Sequence, residues 1–236
     1  MATQTSSIAA NLERITERIA GAAKRAGRRT DEVTIVAVSK TFPAERIRAA
    51  YDAGLRHFGE NRVQEFETKH HTLVGFADAI WHFIGHLQSN KVGRAVHLFD
   101  RVDSVDSLSL AHKLDVAAAT ADKSLPVLIE VRLGEEETKS GVREKELPPL
   151  GESIRKLLHL ELHGLMTIPP YASDPQNARP YFRKLHQLRD GLGRQLGLAL
   201  PILSMGMSHD FEIAIEEGAT EVRMGTALFG ERSRDL

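Results

Sequence analysis

Hydrophobic residues along the chain follow two alternating patterns: short runs rich in β-branched and aromatic residues, and longer stretches with apolar residues three and four apart. The short runs have the composition of buried β-strands, and the longer stretches have helical spacing. We predict eight strands, at 33–39, 57–60, 81–85, 101–106, 126–132, 161–168, 201–206 and 221–225. Helical stretches lie between them, for example at 43–53, 107–121 and 175–196. Strands that alternate with helices predict a parallel sheet covered by helices.

The number of strand–helix pairs favours one of two α/β folds. Eight pairs are typical of a (β/α)8 TIM barrel. A doubly wound open sheet shows the same alternation, but no GxGxxG loop follows the first strand here. Segment 8–26 carries Ile8, Leu12, Ile15 and Ile19 on one face, which predicts an extra amphipathic helix before the barrel. Since no repeat or flexible linker divides the chain, we predict one domain over residues 1–236.

Composition and charge exclude several classes of function. The chain has 236 residues, 42% of them hydrophobic, and a formal net charge of -1, so no overall field favours nucleic acid or an anionic membrane. The absence of cysteine excludes disulfides, thiolate metal sites and cysteine nucleophiles. The N-terminal segment lacks the apolar run of a signal peptide, and no other run approaches the roughly 20 residues of a membrane helix. We therefore expect a cytoplasmic protein with no nucleic-acid or membrane partner.

Lys40 is the most distinctive candidate site residue. In a TIM barrel the C-terminal strand ends surround one pocket, and Lys40 directly follows the first predicted strand. Desolvation at such a position lowers the pKa of an amine and makes its neutral, nucleophilic form available for Schiff-base chemistry. A lysine at a strand end is also commonly a surface residue whose stem covers apolar neighbours, so this position alone does not decide its role.

The segments after strands seven and eight predict a phosphate site. Gly206 permits close approach of the backbone, and Ser208 precedes a predicted helix. Gly225 and Thr226 add an unhindered N–H and a hydroxyl after strand eight. Helix capping explains either segment alone, but loops after strands seven and eight hold phosphate in many TIM barrels. The pair of loops therefore favours a phosphate ligand.

Arg223 is the third candidate. It lies two residues before Gly225, so strand alternation directs both toward the upper interior of the barrel. A guanidinium there requires an acceptor. A pyridine nitrogen would serve, and Arg223 would keep that nitrogen unprotonated and the ring a weak electron sink. A structural ion pair with a glutamate is an equally good interpretation of this spacing.

Six segments together resemble a known family, the pyridoxal phosphate homeostasis proteins, which are single-domain relatives of the barrel domain of alanine racemase. The resemblance covers nearly the whole chain and is carried by segments 36–40, 58–65, 81–91, 164–166, 203–208 and 222–226. It implies that Lys40 bears pyridoxal 5′-phosphate (PLP) as a Schiff base. It also implies that Ser208, Gly225 and Thr226 hold the phosphate and that Arg223 faces the pyridine nitrogen. Asn61 and Met205 are expected to line the pocket.

The resemblance also implies a function in intracellular PLP homeostasis, with PLP-dependent apoenzymes as recipients. Alanine racemases have a second domain that supplies an opposing tyrosine base, and only 11 residues follow Gly225 here. A racemase needs acid–base groups on both faces of the substrate carbon. We therefore expect a PLP carrier or regulator with no catalytic residues, and a monomer because the sequence shows no broad apolar patch. Two alternatives stay open: a PLP-dependent racemase-like enzyme, and a barrel enzyme in which Lys40 forms a Schiff base with a phosphorylated sugar.

The histidines and the acidic run do not predict a metal site. His70 and His71 are adjacent, His82 and His86 are four residues apart across a strand and its loop, and no HExxH motif occurs. The acidic segment 135–139 is typical of a solvated loop. We expect no bound metal.

Overall fold

A closed barrel of parallel strands organises the molecule, as seen in a computed structural model that describes residues 2–73, 75–134 and 140–231. Within those ranges eight strands pair in chain order, and the last pairs with the first. They are β1 (Thr34–Val38), β2 (His57–Glu60), β3 (Ile80–Phe83), β4 (Arg101–Val105), β5 (Leu125–Glu130), β6 (Leu160–Met166), β7 (Ile202–Met207) and β8 (Glu221–Met224). The predicted TIM barrel is confirmed. The acidic segment 135–139 lies outside the described residues.

Helices follow the strands and cover the barrel. They are α1 (Ala2–Arg25), α2 (Ala44–Asp52), α3 (Val63–His70), α4 (Val92–Leu98), α5 (Leu108–Thr120), α6 (Leu147–Ile154), α7 (Arg179–Leu196), α8 (Phe211–Glu216) and α9 (Thr226–Phe229). The stretch predicted as one helix at 175–196 divides into a 3₁₀ turn, Pro175–Ala178, and α7. Pro180 stands in the first turn of α7, where a missing N–H costs no intrahelical hydrogen bond.

Helix α1 is the predicted extra helix, and it begins earlier than expected. Its apolar face buries Ile8, Ile15 and Ile19 in the core. It packs against α2, α8 and α9, and the Asn11 side-chain amide donates a hydrogen bond of 2.9 Å to the Leu228 carbonyl. In the described part of the chain, no helix combines the length and apolar character needed to cross a membrane.

Alternating strand residues form an outer and an inner layer. Ala37 and Phe58 join the large hydrophobic cluster between strands and helices. Val36 and Val38 lie on the other face of β1, where Val36 approaches Gly59 and Val38 approaches Gly225. This alternation follows from the two-residue period of a strand. It directs residues at the C-terminal strand ends into one shared space.

A buried charged network closes the N-terminal end of the barrel. Arg101 of β4 donates to Asp103 at 2.6 Å and to Glu221 of β8 at 2.5 Å. Asp103 also lies 3.2 Å from Nδ1 of His82, whose Nε2 is 3.0 Å from Nδ1 of His57. Each of the two buried carboxylates therefore has the Arg101 guanidinium as a cationic partner.

Candidate functional site

Lys40 lies in a turn at the C-terminal end of β1, next to a cavity of about 360 Å³. The turn spans residues 39–42, and the Phe42 N–H donates to the Ser39 carbonyl at 3.1 Å. Thr41 has a φ of 68°, which is rare for a β-branched residue. The cavity is lined by residues that follow β1, β2, β3, β5 and β6, including Lys40, Asn61, His86, Glu130 and Ile168. The strand ends therefore converge on Lys40, as the sequence predicted.

Asn61 lines the cavity because the backbones after β2 and β3 approach closely. A Cβ atom on Gly85 would lie 2.5 Å from the Asn61 carbonyl oxygen. Only glycine permits this approach, since that separation is far inside van der Waals contact. The Gly85 backbone thus fixes one wall of the cavity.

The loops after β7 and β8 lie side by side. The Ser208 hydroxyl accepts a hydrogen bond of 3.2 Å from the Ala227 N–H, which joins the two loops. Asp210 stays within its own loop, where it accepts from the Met207 N–H at 2.6 Å. Ser208, Gly225 and Thr226 are thus close to one another, although they do not line the 360 Å³ cavity. The contact brings the Ser208 hydroxyl next to the start of α9.

Met205 differs in position from the other predicted residues. It is fully buried and belongs to the hydrophobic cluster between strands and helices. It does not line the cavity that contains Lys40. Its contact with a ligand stays a prediction.

Arg223 is buried inside the barrel between β6 and β7. Its Nη1 donates to the carbonyl and the hydroxyl of Ser204, both at 2.8 Å, and its Nη2 donates to the Thr167 carbonyl at 2.7 Å. These neutral acceptors hold the guanidinium where sequence analysis allowed a glutamate ion pair. Of its five N–H groups, Nε–H and one Nη2–H have no acceptor among the described residues.

Glu130 is a cavity residue that was not predicted from the sequence. It ends β5, lines the cavity and is 7% exposed. Burial raises the pKa of Glu130 to about 7, and Asp106 adds to this, while Arg223 and His86 oppose it. The signal in the sequence was a charged residue inside the apolar strand 126–132, at the end that faces the pocket.

The histidines do not converge on the cavity. His82 lies in the charged network at the N-terminal end, where donor atoms of His82, Asp103 and Glu221 come within 4.8 Å of one another. The Arg101 guanidinium already pairs with both carboxylates and would repel a cation. His86 stands at the cavity rim, 3.2 Å from Asp106.

The closed (β/α)8 barrel, with Lys40 after β1 and two joined loops after β7 and β8, matches a known type of barrel domain. Residues 10–233 match the model of the family described as alanine racemase, N-terminal domain. An alanine racemase from Corynebacterium glutamicum shares the fold, with a TM-score of 0.75 at 19% identity over 98% of this chain and 63% of that chain.

Two closer relatives identify a narrower group. A protein of Aquifex aeolicus, named pyridoxal phosphate homeostasis protein, is 51% identical over 94% of this chain and 96% of its own length. PipY of Synechococcus elongatus, solved with PLP bound, has a TM-score of 0.82 at 39% identity and covers 92% of this chain and 100% of its own. The chain therefore belongs to the pyridoxal phosphate homeostasis protein family.

Proposed function

We propose that this protein binds PLP through Lys40 and serves intracellular PLP homeostasis. The observation that carries the proposal is the position of Lys40 at the cavity where the strand ends converge. The family supports it, since the Aquifex relative is named for PLP homeostasis and the PipY structure contains PLP. In this proposal Lys40, Asn61, Met205, Ser208, Arg223, Gly225 and Thr226 hold the cofactor.

The residues around the two joined loops fit a phosphate ester. A Cβ atom on Gly225 would meet nothing nearer than Val38 at 3.8 Å, so protein packing leaves space above this backbone. The Ser208 hydroxyl accepts a hydrogen bond from the Ala227 N–H, two residues after Gly225. Hydroxyl and helix N-terminal donors suit a phosphate dianion. The phosphate would occupy the space that a side chain at residue 225 would fill.

Arg223 fits the ring nitrogen and favours a carrier over an enzyme. When bound, PLP supplies an aldehyde that condenses with amines and a ring that withdraws electrons most strongly when its nitrogen is protonated. The guanidinium has donors and no acceptor, so a ring nitrogen that meets it accepts a hydrogen bond and stays unprotonated. Arg223 therefore weakens the electron withdrawal that amino-acid turnover requires.

The proposed role in PLP homeostasis also implies recipient proteins and an oligomeric state. We propose that PLP-dependent apoenzymes receive the cofactor and that the protein acts as a cytoplasmic monomer. Its most exposed large hydrophobic residues among those described, Val116, Leu158 and Tyr171, lie on three different segments, in α5, before β6 and after β6. A permanent interface buries larger apolar surfaces than isolated residues provide.

The test is an absorbance spectrum of the purified protein with added PLP, before and after borohydride reduction, followed by peptide mass analysis. We expect a visible band and a pyridoxyl adduct on Lys40. The Lys40→Ala variant should lose both, and Lys184→Ala, which changes an exposed lysine paired with Glu144, should keep both. A wild-type protein without band or adduct would disprove the proposal. Amino-acid racemisation that disappears in Lys40→Ala would instead support the racemase-like alternative.

A further inference from the structure

Three charged side chains from segment 60–69 converge behind the turn that carries Lys40. Lys69, in the last turn of α3, has an 11% exposed side chain, and its Nζ is 2.7 Å from Glu60 Oε1 and 3.3 Å from Glu65 Oε1. The same ammonium donates to the Ser39 carbonyl at 3.1 Å and to the Phe42 carbonyl at 3.4 Å. Lys69 thus contacts both ends of the 39–42 turn.

Glu60 holds the first residue of the turn. It is fully buried at the end of β2 and accepts a hydrogen bond of 2.6 Å from the Ser39 hydroxyl. Burial raises the pKa of Glu60, although Lys69 and Ser39 oppose that rise. Only the Lys69 ammonium forms an ion pair with it among the described residues. Because a buried carboxylate requires a cation close by, Glu60 holds the Lys69 ammonium in place.

Glu65 holds the middle of the turn. Its carboxylate accepts a hydrogen bond of 2.5 Å from the Thr41 N–H. Thr41 is the residue with φ of 68°, and a β-branched residue keeps this conformation only where its surroundings enforce it. The backbone on both sides of Lys40 is therefore held by charge-assisted hydrogen bonds.

We propose that Lys69, Glu60 and Glu65, here called the Lys69 clamp, position Lys40 for capture of an aldehyde. Capture joins the Lys40 nitrogen to the aldehyde carbon as a C=N bond, and the carbonyl oxygen leaves as water with the two amine hydrogens. A fixed turn pre-organises the amine for this reaction, so the clamp sets the affinity for the cofactor. That the aldehyde is PLP rests on the proposed function.

The sharpest test uses two glutamates of α3. Glu65→Ala removes the acceptor of the Thr41 N–H, and Glu67→Ala removes an exposed residue that pairs with Arg94 at 3.0 Å. We expect Glu65→Ala to weaken PLP affinity about tenfold, the effect of losing a charged hydrogen bond, and to speed hydrogen exchange at Thr41 and Phe42. Glu67→Ala should leave PLP affinity and this exchange unchanged. Affinity is measured by titration of the visible band.

Variants of Lys69 separate positioning from stability. Lys69→Arg keeps the charge and should keep most of the PLP affinity, whereas Lys69→Met should lose it. Because Lys69→Met leaves Glu60 buried without its cation, the double variant Lys69→Met/Glu60→Gln removes both charges together. All titrations are made well below each variant's melting temperature, where a purely structural role would leave affinity unchanged.

The outcomes distinguish this inference from the proposed function. A wild-type protein that forms no adduct on Lys40 would disprove the proposed function. If the wild type forms the adduct and Glu65→Ala and the double variant bind PLP as tightly as the wild type, the clamp is wrong while the proposed function stands. Faster exchange at Thr41 without weaker PLP binding would also overturn it.

Discussion

At the scale of single residues, Glu130 is the group whose surroundings change its chemistry most clearly. It is 7% exposed in a cavity wall, and burial raises its pKa from 4.5 to about 7. A folded-state pKa above the unfolded value means that the folded state binds the proton more tightly. Between about pH 4.5 and 7, the free energy of unfolding therefore falls as pH rises.

We predict that Glu130→Gln stabilises the PLP-free protein in a pH-dependent way. Glutamine cannot ionise, so the variant avoids the cost of a buried carboxylate, which amounts to at most about 3 kcal/mol at pH 8. The gain should shrink as the pH approaches 4.5. Urea unfolding of both proteins from pH 5 to 8 measures this difference, with Glu67→Gln as the exposed control. A gain that is equal at every pH would contradict the assigned cause.

The positions of candidate site residues were predictable from the sequence only where they depend on position along a strand. Lys40 and Asn61 follow β1 and β2 and line the cavity. The neutral acceptors of Arg223, namely Ser204 and Thr167, come from β7 and the end of β6, so they are known only after the strands are in register. The contacts between Lys69 and the Lys40 turn likewise join α3 to the end of β1, and sequence spacing contains no trace of them.

At the scale of elements, the junction of β7 and α8 depends on one glycine. Gly206 has a φ of 89°, and a Cβ atom there would lie 2.5 Å from the Ala214 Cβ and 2.9 Å from the Phe211 Cα. Both neighbours belong to α8, so a side chain would displace that helix. The Ser208 loop lies between these two elements.

We predict that Gly206→Ala destabilises the protein by roughly 2–4 kcal/mol and weakens PLP binding, because both the backbone and the packing oppose it. Gly197→Ala is the matched control. Gly197 also has a left-handed φ, 65°, but a Cβ atom there meets nothing within 4 Å. Gly197→Ala should lower the free energy of unfolding by only about 1–2 kcal/mol, the cost of a left-handed φ for alanine, and should leave PLP affinity intact. Equal losses in urea unfolding would show that packing against α8 is unimportant.

Element types were predictable because hydrophobic periodicity follows burial. All eight strands begin and end within two residues of their predicted bounds. The start of the helix predicted at 175–196 was less predictable. The stretch 175–196 has helical spacing throughout, but Pro175–Ala178 forms a 3₁₀ turn and α7 begins only at Arg179, with Pro180 in its first turn. Over only four residues, the spacing of apolar residues does not distinguish a 3₁₀ turn from the first turn of an α-helix.

At the scale of the whole molecule, the charged network at the N-terminal barrel end links strands far apart in sequence. Arg101 and Glu221 are 120 positions apart and join β4 to β8 across the interior. His57 stands at the edge of this network, facing His82, Arg101, Asp103 and Glu221. Burial, together with electrostatic effects of His82 and Arg101, lowers the pKa of His57 to about 4, although Asp103 and Glu221 oppose this.

We predict that His57 makes the barrel acid-sensitive. Because its folded-state pKa is depressed, the free energy of unfolding falls as pH drops from about 6.5 to 4. His57→Gln should reduce this acid-induced fall in the free energy of unfolding by about 2 kcal/mol, less than the full pKa shift implies because His57 is partly exposed. Urea unfolding at pH 7, 6 and 5 measures the slope, and His97→Gln provides an exposed control. If the two variants have the same slope, His57 is not the titrating group.

The docking of α1 on the last helices has a consequence for biosynthesis. Arg18 of α1 pairs with Glu212 of α8, 194 positions later, and β1 pairs with β8. At about 5–20 residues per second, a ribosome needs roughly 10–40 s to make the chain between these partners. During that interval the apolar face of α1 and the free edge of β1 lack their final cover. Exposed apolar surface and an unpaired strand edge promote aggregation, so the nascent chain is most exposed to it before its last strand has emerged.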